Sequence, residues 1–284
     1  MYIVGRPILA AAVFQAALLL GGCGGLTRHG PVDSRLAAFI PSDAMALAGV
    51  RLDQIRATPL YHKLASENRL PKFNAFATES GVDLNRDVRE LLLASDGENL
   101  LAIARGTFTG KQPRYTRNPD EAIAFPDKTT ALAGPAASVR AALNQYKAGG
   151  HPPRDLLARA EALGADAQIW AVVVGWKGAA PDRLRSMGDL SNVDRMLRAV
   201  NDATMTIDLR NGIHASITGD CRAEADARNL ADSLRGLTAL ARMAAQRKQP
   251  DLERALSAIQ VNQQGGVVRV SADIPEELAE KLIK

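Results

Sequence analysis

The sequence predicts an α+β fold of two similar halves, with antiparallel sheets built from hairpins and helices packed on one face. Three observations predict it. Short apolar runs are separated by tight-turn pairs, Asp96-Gly97, Asn211-Gly212 and Gly265-Gly266, which are favoured between paired strands. The stretches between these hairpins carry apolar residues at helical spacing. The order strand, helix, hairpin, connector, hairpin, helix occurs twice.

Residues 1–22 have the layout of a signal peptide. Arg6 lies near the start, an apolar run extends from Ile8 to Leu20 with Gln15 inside it, and Gly21 and Gly22 follow. The run is shorter than the ~20 apolar residues that span a bilayer comfortably. Leu20-Gly21-Gly22-Cys23 resembles the lipobox of bacterial lipoproteins. The resemblance implies cleavage between Gly22 and Cys23 and acylation of the Cys23 sulfur and its new amino group. One acyl chain holds a protein only marginally at a membrane, while two or more anchor it stably. An aspartate after the lipidated cysteine tends to retain Gram-negative lipoproteins in the inner membrane. Gly24 stands there, which implies the outer membrane, facing the periplasm.

Residues 23–34 read as a lipid-anchored tether, 35–150 as the first half and 151–284 as the second. In the first half, Asp43 to Val50 predicts a strand and Gln54 to Asn68 a helix whose first turn Pro59 limits. A further turn is expected over Phe73 to Thr78. Val88–Ser95 and Asn99–Arg105 predict a hairpin, and a polar connector runs from Thr107 to Asp120. Ala122–Phe125 and Thr129–Ala133 form a second hairpin, followed by a helix from Pro135 to Lys147 with proline in its first turn.

The second half starts with a strand, Ala167 to Trp176, apolar on both faces, then a helix over Pro181 to Ala199. Thr204–Leu209 and Ile213–Thr218 flank Asn211-Gly212. Asp220 is placed to cap a long helix from Cys221 to Gln246, with the seam Ala223, Ala227, Leu230, Leu234, Leu237, Ala241 and Ala244. A short helix over Leu252–Ala258, a hairpin of Ile259–Asn262 with Val267–Ala272, and a final helix from Pro275 to Ile283 complete it.

The phrases Arg56-Ala57-Thr58-Pro59-Leu60-Tyr61, Ala131-Leu132-Ala133-Gly134-Pro135 and Asn229-Leu230-Ala231-Asp232-Ser233-Leu234-Arg235-Gly236 resemble a group of uncharacterised secreted bacterial proteins with duplicated halves. The resemblance implies the duplication and brings no function. Thr107–Asp120 departs from the group, being short and polar.

Apolar content of 46% is enough for a core, and aromatics at 4% leave little for a base- or sugar-stacking platform. The formal charge of +4 is spread among acids, which argues against a nucleic-acid partner. With Cys23 lipidated, Cys221 has no disulfide partner and is expected to be a small core residue.

Each chemical motif fails on detail. Gly106-Thr107-Phe108-Thr109-Gly110-Lys111 lacks the spacing and the following helix of a phosphate loop. Asp83-Leu84-Asn85-Arg86-Asp87 opens like a calcium loop, but Val88 replaces the glycine and Ala94 the distal glutamate. Cys221 at a helix start invites comparison with a nucleophile, yet His214 lies far along the strand and His29, His62 and His151 supply no defined base. The four histidines share no zinc-site spacing. Trp170 and Trp176 share a strand face and could line a ligand groove, but the other face, Ile169, Ala171 and Val173, is apolar as well, so they read as core. Arg228, Arg235 and Arg242 recur every seven residues beside the long helix, as a solvated face or as a partner or headgroup surface.

No catalytic, cofactor or metal residue is therefore expected. The reading is an envelope lipoprotein that binds a protein partner or small ligand without catalysis. The alternatives are an enzyme with its site between the halves and a purely structural envelope protein.

Overall fold

The structure is a computed structural model that describes residues 31–67, 81–112, 114–115, 120–164, 167–175, 198–246 and 249–282. Gly22, Cys23, His29, the turn expected over 73–78, Trp176 and nearly all of the helix expected over 181–199 lie outside the described residues.

The elements, in chain order, are α1 (Ser34–Ala37), β1 (Ala46–Arg51), α2 (Leu52–Arg56), α3 (Pro59–Ser66), β2 (Val88–Ser95), β3 (Leu100–Gly106), β4 (Arg114–Tyr115), β5 (Glu121–Ala124), β6 (Thr130–Pro135), α4 (Ala136–Lys147) and α5 (Arg154–Glu161). They continue as β7 (Ile169–Val173), β8 (Val200–Asp208), β9 (Ile213–Cys221), α6 (Glu224–Ala245), α7 (Pro250–Ser257), β10 (Ile259–Gln264), β11 (Val267–Ile274) and α8 (Glu276–Leu282). The fold is α+β with a large antiparallel sheet. The eleven strands among the described residues join one sheet, in the order β10-β11-β9-β8-β7-β1-β2-β3-β6-β5-β4. β1 and β7 pair at its centre. Outward from them, β1-β2-β3-β6-β5 on one side is matched by β7-β8-β9-β11-β10 on the other.

Local chemistry explains the boundaries. Thr58 caps α3 by accepting from the Tyr61 N–H at 3.2 Å, and Pro59 opens the helix, so the expected single helix is split into α2 and α3. In the β8–β9 turn, Gly212 adopts φ +111, and a Cβ there would fall 2.3 Å from the Ile274 carbonyl oxygen. Only glycine fits both demands. Asp127 ties the β5–β6 turn by accepting from the Thr129 N–H at 2.6 Å and from the Thr130 hydroxyl at 3.0 Å.

Several expectations are corrected. Asp220 and Cys221 belong to β9, because the Cys221 N–H donates to Gly266 at 2.8 Å and the ladder runs on. α6 starts at Glu224, after Ala223, with no side-chain cap. Pro135 ends β6, paired with Glu121, instead of sitting inside the helix. Helix α5 was not expected at all, yet it buries Leu156 and Ala160 one turn apart. α1 begins at Ser34, where Asp33 caps it by accepting from Arg35 N–H at 2.8 Å.

Helices cover both faces of the sheet, not one. Leu92, Ile103 and Leu132 are aligned across β2, β3 and β6 and pack with Leu36, Val139 and Leu156 from the helical layer. Their chain neighbours Leu91, Ala104 and Ala131 point the other way, against Val88, Phe108 and Leu52. These strands are apolar at nearly every position, so each side needs cover. Ala227, Leu230 and Ala231 of α6 pack on Val268 and Val261, which the register places on the Leu91 face. The opposite face of β8, β9 and β11 carries Thr204, Thr206, Ser216, Thr218 and Ser271.

Candidate functional site

A row of charges crosses the first half at one end of its core. Register places Arg51 opposite Glu90, and Glu90 opposite Arg105. Directly opposed residues on adjacent strands hold their Cβ atoms within ~5 Å of each other on one face. The row Arg51, Glu90, Arg105 therefore lies beside Leu92 and Ile103, on the face that α1, α4 and α5 cover. It floors a cleft of about 950 Å³ whose walls include Asp33 and Arg35 of the α1 turn, Tyr146 of α4, and His151 and Glu161 around α5.

The walls are fixed by their own contacts. Asp33 ion-pairs with Arg105 while capping α1. Tyr146 stacks on Phe39, with ring centroids 4.4 Å apart. The Gln145 amide donates to the Ile40 carbonyl at 2.6 Å and accepts from the Ser42 N–H at 3.0 Å, which pins α4 to the chain entering β1. Burial pushes the Glu90 carboxyl up to about 7, against the pull of Arg51 and Arg105 and with a further push from Asp33 and Asp53. Near neutral pH this group is present as donor and as acceptor. Paired with guanidinium groups, it can meet a small molecule that carries both an anionic and a hydrogen-bonding end.

Two further polar sites occur in the second half. Arg159 of α5 reaches across to Asp202 at 2.7 Å and Asp220 at 3.0 Å, and Asp202 also accepts from the Gly175 N–H at 2.7 Å. His214 pairs with Asp273 at 2.9 Å across β9 and β11, and that hydrogen bond raises its pKa.

The motifs weighed in the sequence fall elsewhere. Asp87 is taken up by Arg86 at 2.8 Å and Lys111 at 3.3 Å, and the Arg86 hydrogen bond leads in holding its carboxyl at about 2. Lys111 also donates to the Gly81 carbonyl, so the 106–111 loop closes on its own protein. Cys221 is half-buried beside α6, and burial, then Asp226 and Asp220, push its thiol up to about 11. That is the opposite of an activated nucleophile. Trp170 is fully buried. Of the described histidines, only His151 lines the cleft.

Sequence reasoning did not single out Arg51, Glu90 or Arg105. The signal was available in the alternation. Glu90 is two residues from Leu92 and Arg105 two from Ile103, so each charge shares a face with a core residue. Because β2 and β3 are also apolar on their other face, nothing in the sequence told which positions look inward.

No protein-family model matches the sequence, and no curated protein matches it. A solved structure titled "Structure of crystal form I of TP0453" is similar over 87% of this chain and 95% of that one, at 9% identity and a TM-score of 0.45.

Proposed function

We propose that this chain is an exported lipoprotein, cut after Gly22 and lipidated on Cys23, whose body binds a small polar ligand or an envelope partner without catalysis. The signal layout and the Leu20-Gly21-Gly22-Cys23 phrase support the anchor. Gly24 favours an outer-membrane location facing the periplasm. No helix among the described residues is long and apolar enough to cross a membrane.

The observation that carries the binding role is the charged row Arg51, Glu90, Arg105 on the floor of the cleft. The three side chains are half-buried, and charge gathered beside a core on the floor of an open cleft fits a ligand site. The ligand class is a small molecule with a carboxylate or phosphate for the guanidinium groups and a hydroxyl or amide for Glu90. We also propose that the two halves arose by duplication. Its support is the matched strand order on either side of the β1–β7 pair.

A second reading, an enzyme using Glu90 as an acid–base group, is favoured by one observation: its carboxyl titrates near 7, in a cleft that Glu161 of the second half also lines.

The anchor is tested by labelling cells with a fatty-acid analogue. The parent takes up label and Cys23→Ser does not; label on the variant sinks the anchor. The cleft is tested by thermal-shift titration against small carboxylates, phosphates and amino acids. A member of the panel should raise Tm in the parent and not in Arg51→Gln or Glu90→Ala. Equal shifts in the variants would remove the cleft from consideration, and turnover lost in Glu90→Gln would move the reading to the enzyme.

A further inference from the structure

The C-terminal half of α6 carries a face that no described element covers. Ala227, Leu230 and Ala231 lie against the sheet, but Leu237, Leu240 and Met243 are 52%, 64% and 69% exposed. At 3.6 residues per turn these three fall on one side of the helix. Gly236, Ala239 and Ala244 lie between and beside them, also exposed, so the arc holds no charge. Arg235 and Arg242 border it on one flank. Arg235 holds Asp232 at 2.8 Å, and Arg242 lies 3.7 Å from Glu253 of α7. Charge is segregated along this stretch of sequence. Glu224, Asp226 and Asp232 occupy the earlier turns, whereas from Ser233 to Pro250 the chain has four cations and no Asp or Glu.

An exposed apolar strip with basic borders has two natural occupants, a second copy of the chain and a lipid surface. The strip is about 12 Å long and one helix wide, on the order of 100–200 Å². A stable dimer buries roughly 800 Å² on each partner. The strip is too small for that. An anionic bilayer surface fits the small apolar area and the excess of cations between Ser233 and Pro250. An amphipathic helix lies in the interface with its apolar side sunk ~5–10 Å and its cations among the phosphates.

We propose that the Leu237–Leu240–Met243 face of α6, bordered by Arg235 and Arg242, docks the body onto an anionic phospholipid surface, as a contact separate from lipid on Cys23. This contact does not depend on the cleft or on the anchor. It makes the side of the sheet that α6 covers the membrane-facing side of the second half.

The test uses the chain from residue 24 onward, which lacks Cys23 and contains every described element. It is co-sedimented with mixed phosphatidylglycerol–phosphatidylcholine vesicles and with pure phosphatidylcholine vesicles. The chain should sediment with the anionic vesicles alone and be released by high salt. Leu240→Glu with Met243→Glu should lower the bound fraction about tenfold, and Lys147→Gln, which removes an exposed cation from α4 on the other face of the sheet, should leave it unchanged. Circular dichroism and the urea midpoint show that each variant is folded. Failure of the parent to bind anionic vesicles overturns the proposal, as does equal binding by the double variant. A dimer in sedimentation velocity that the double variant abolishes, without vesicle binding, assigns the face to a second copy instead.

Discussion

Trp170 occupies the space where a side chain on Gly49 would stand. The two residues are paired across β1 and β7, and a Cβ on Gly49 would fall 2.2 Å from the indole Cε2. The indole is fully buried, and its N–H finds no acceptor among the described residues. Beyond the β1–β7 ladder, the side-chain contact across the seam at this point is packing.

Gly49→Ala should destabilise the protein by at least ~2 kcal/mol, because the added methyl meets a ring that has nowhere to move. Trp170→Leu alone should cost about 2–4 kcal/mol through the cavity it leaves. The double variant should cost less than the two together, since the smaller side chain makes room for the methyl. Urea unfolding of the four proteins measures the coupling, and strict additivity would refute the contact.

Glu90 gives a pH dependence with a defined sign. Its folded carboxyl titrates at about 7 against an ordinary 4.5, so the folded state holds its proton more tightly than the unfolded chain. The contribution is fully present below about 4.5 and is lost as pH rises to about 7, by on the order of 2 kcal/mol. Glu90→Gln should remove that slope and be more stable than the parent at pH 8. The difference between the two proteins, followed by urea unfolding from pH 5 to pH 8, isolates Glu90 from His214, whose raised pKa acts in the same direction. A difference that does not change with pH would rule the assignment out.

Arg159 separates two carboxylates that the register sets opposite each other, Asp202 and Asp220. Arg159→Ala should cost about 1–2 kcal/mol by leaving them to repel. Asp220→Asn in that background should recover part of the loss. If it recovers nothing, the cost comes from lost packing of the arginine stem.

Cys221 should react slowly with Ellman's reagent at pH 8 in the folded protein and at the ordinary thiol rate in urea. Burial beside α6 and two nearby carboxylates hold it in the thiol form. Rapid reaction of the folded protein would contradict its half-buried placement.

The hairpins were legible because their turns carry their own chemistry: Asp96-Gly97, Asn211-Gly212 and Gly265-Gly266 all sit between paired strands. The strand order was not, because β1 and β7 meet across more than a hundred residues of chain and no local signal encodes that pairing. The seam of α6 was read correctly at Ala227, Leu230 and Leu234, where the sheet lies beneath it. It failed at Leu237, Ala241 and Ala244, which are apolar at the right spacing but exposed. Helical periodicity records which side of a helix avoids water, not what it meets there. The cleft was missed for a related reason: its charges are ordinary in sequence and become unusual only when three strands bring them together.

One consequence of the β1–β7 pairing concerns the halves as separate molecules. Among the described residues, their only strand-to-strand pairing is this run of five residue pairs, with Lys63 of α3 and Glu280 of α8 adding an ion pair between the halves. The β10 rim of the sheet is guarded, since it exposes Gln260, Asn262 and Gln264. β1 and β7 have no such guard. Split between them, the chain would yield two fragments that each present an apolar open strand, apt to find each other again or to recruit copies of themselves into aggregates.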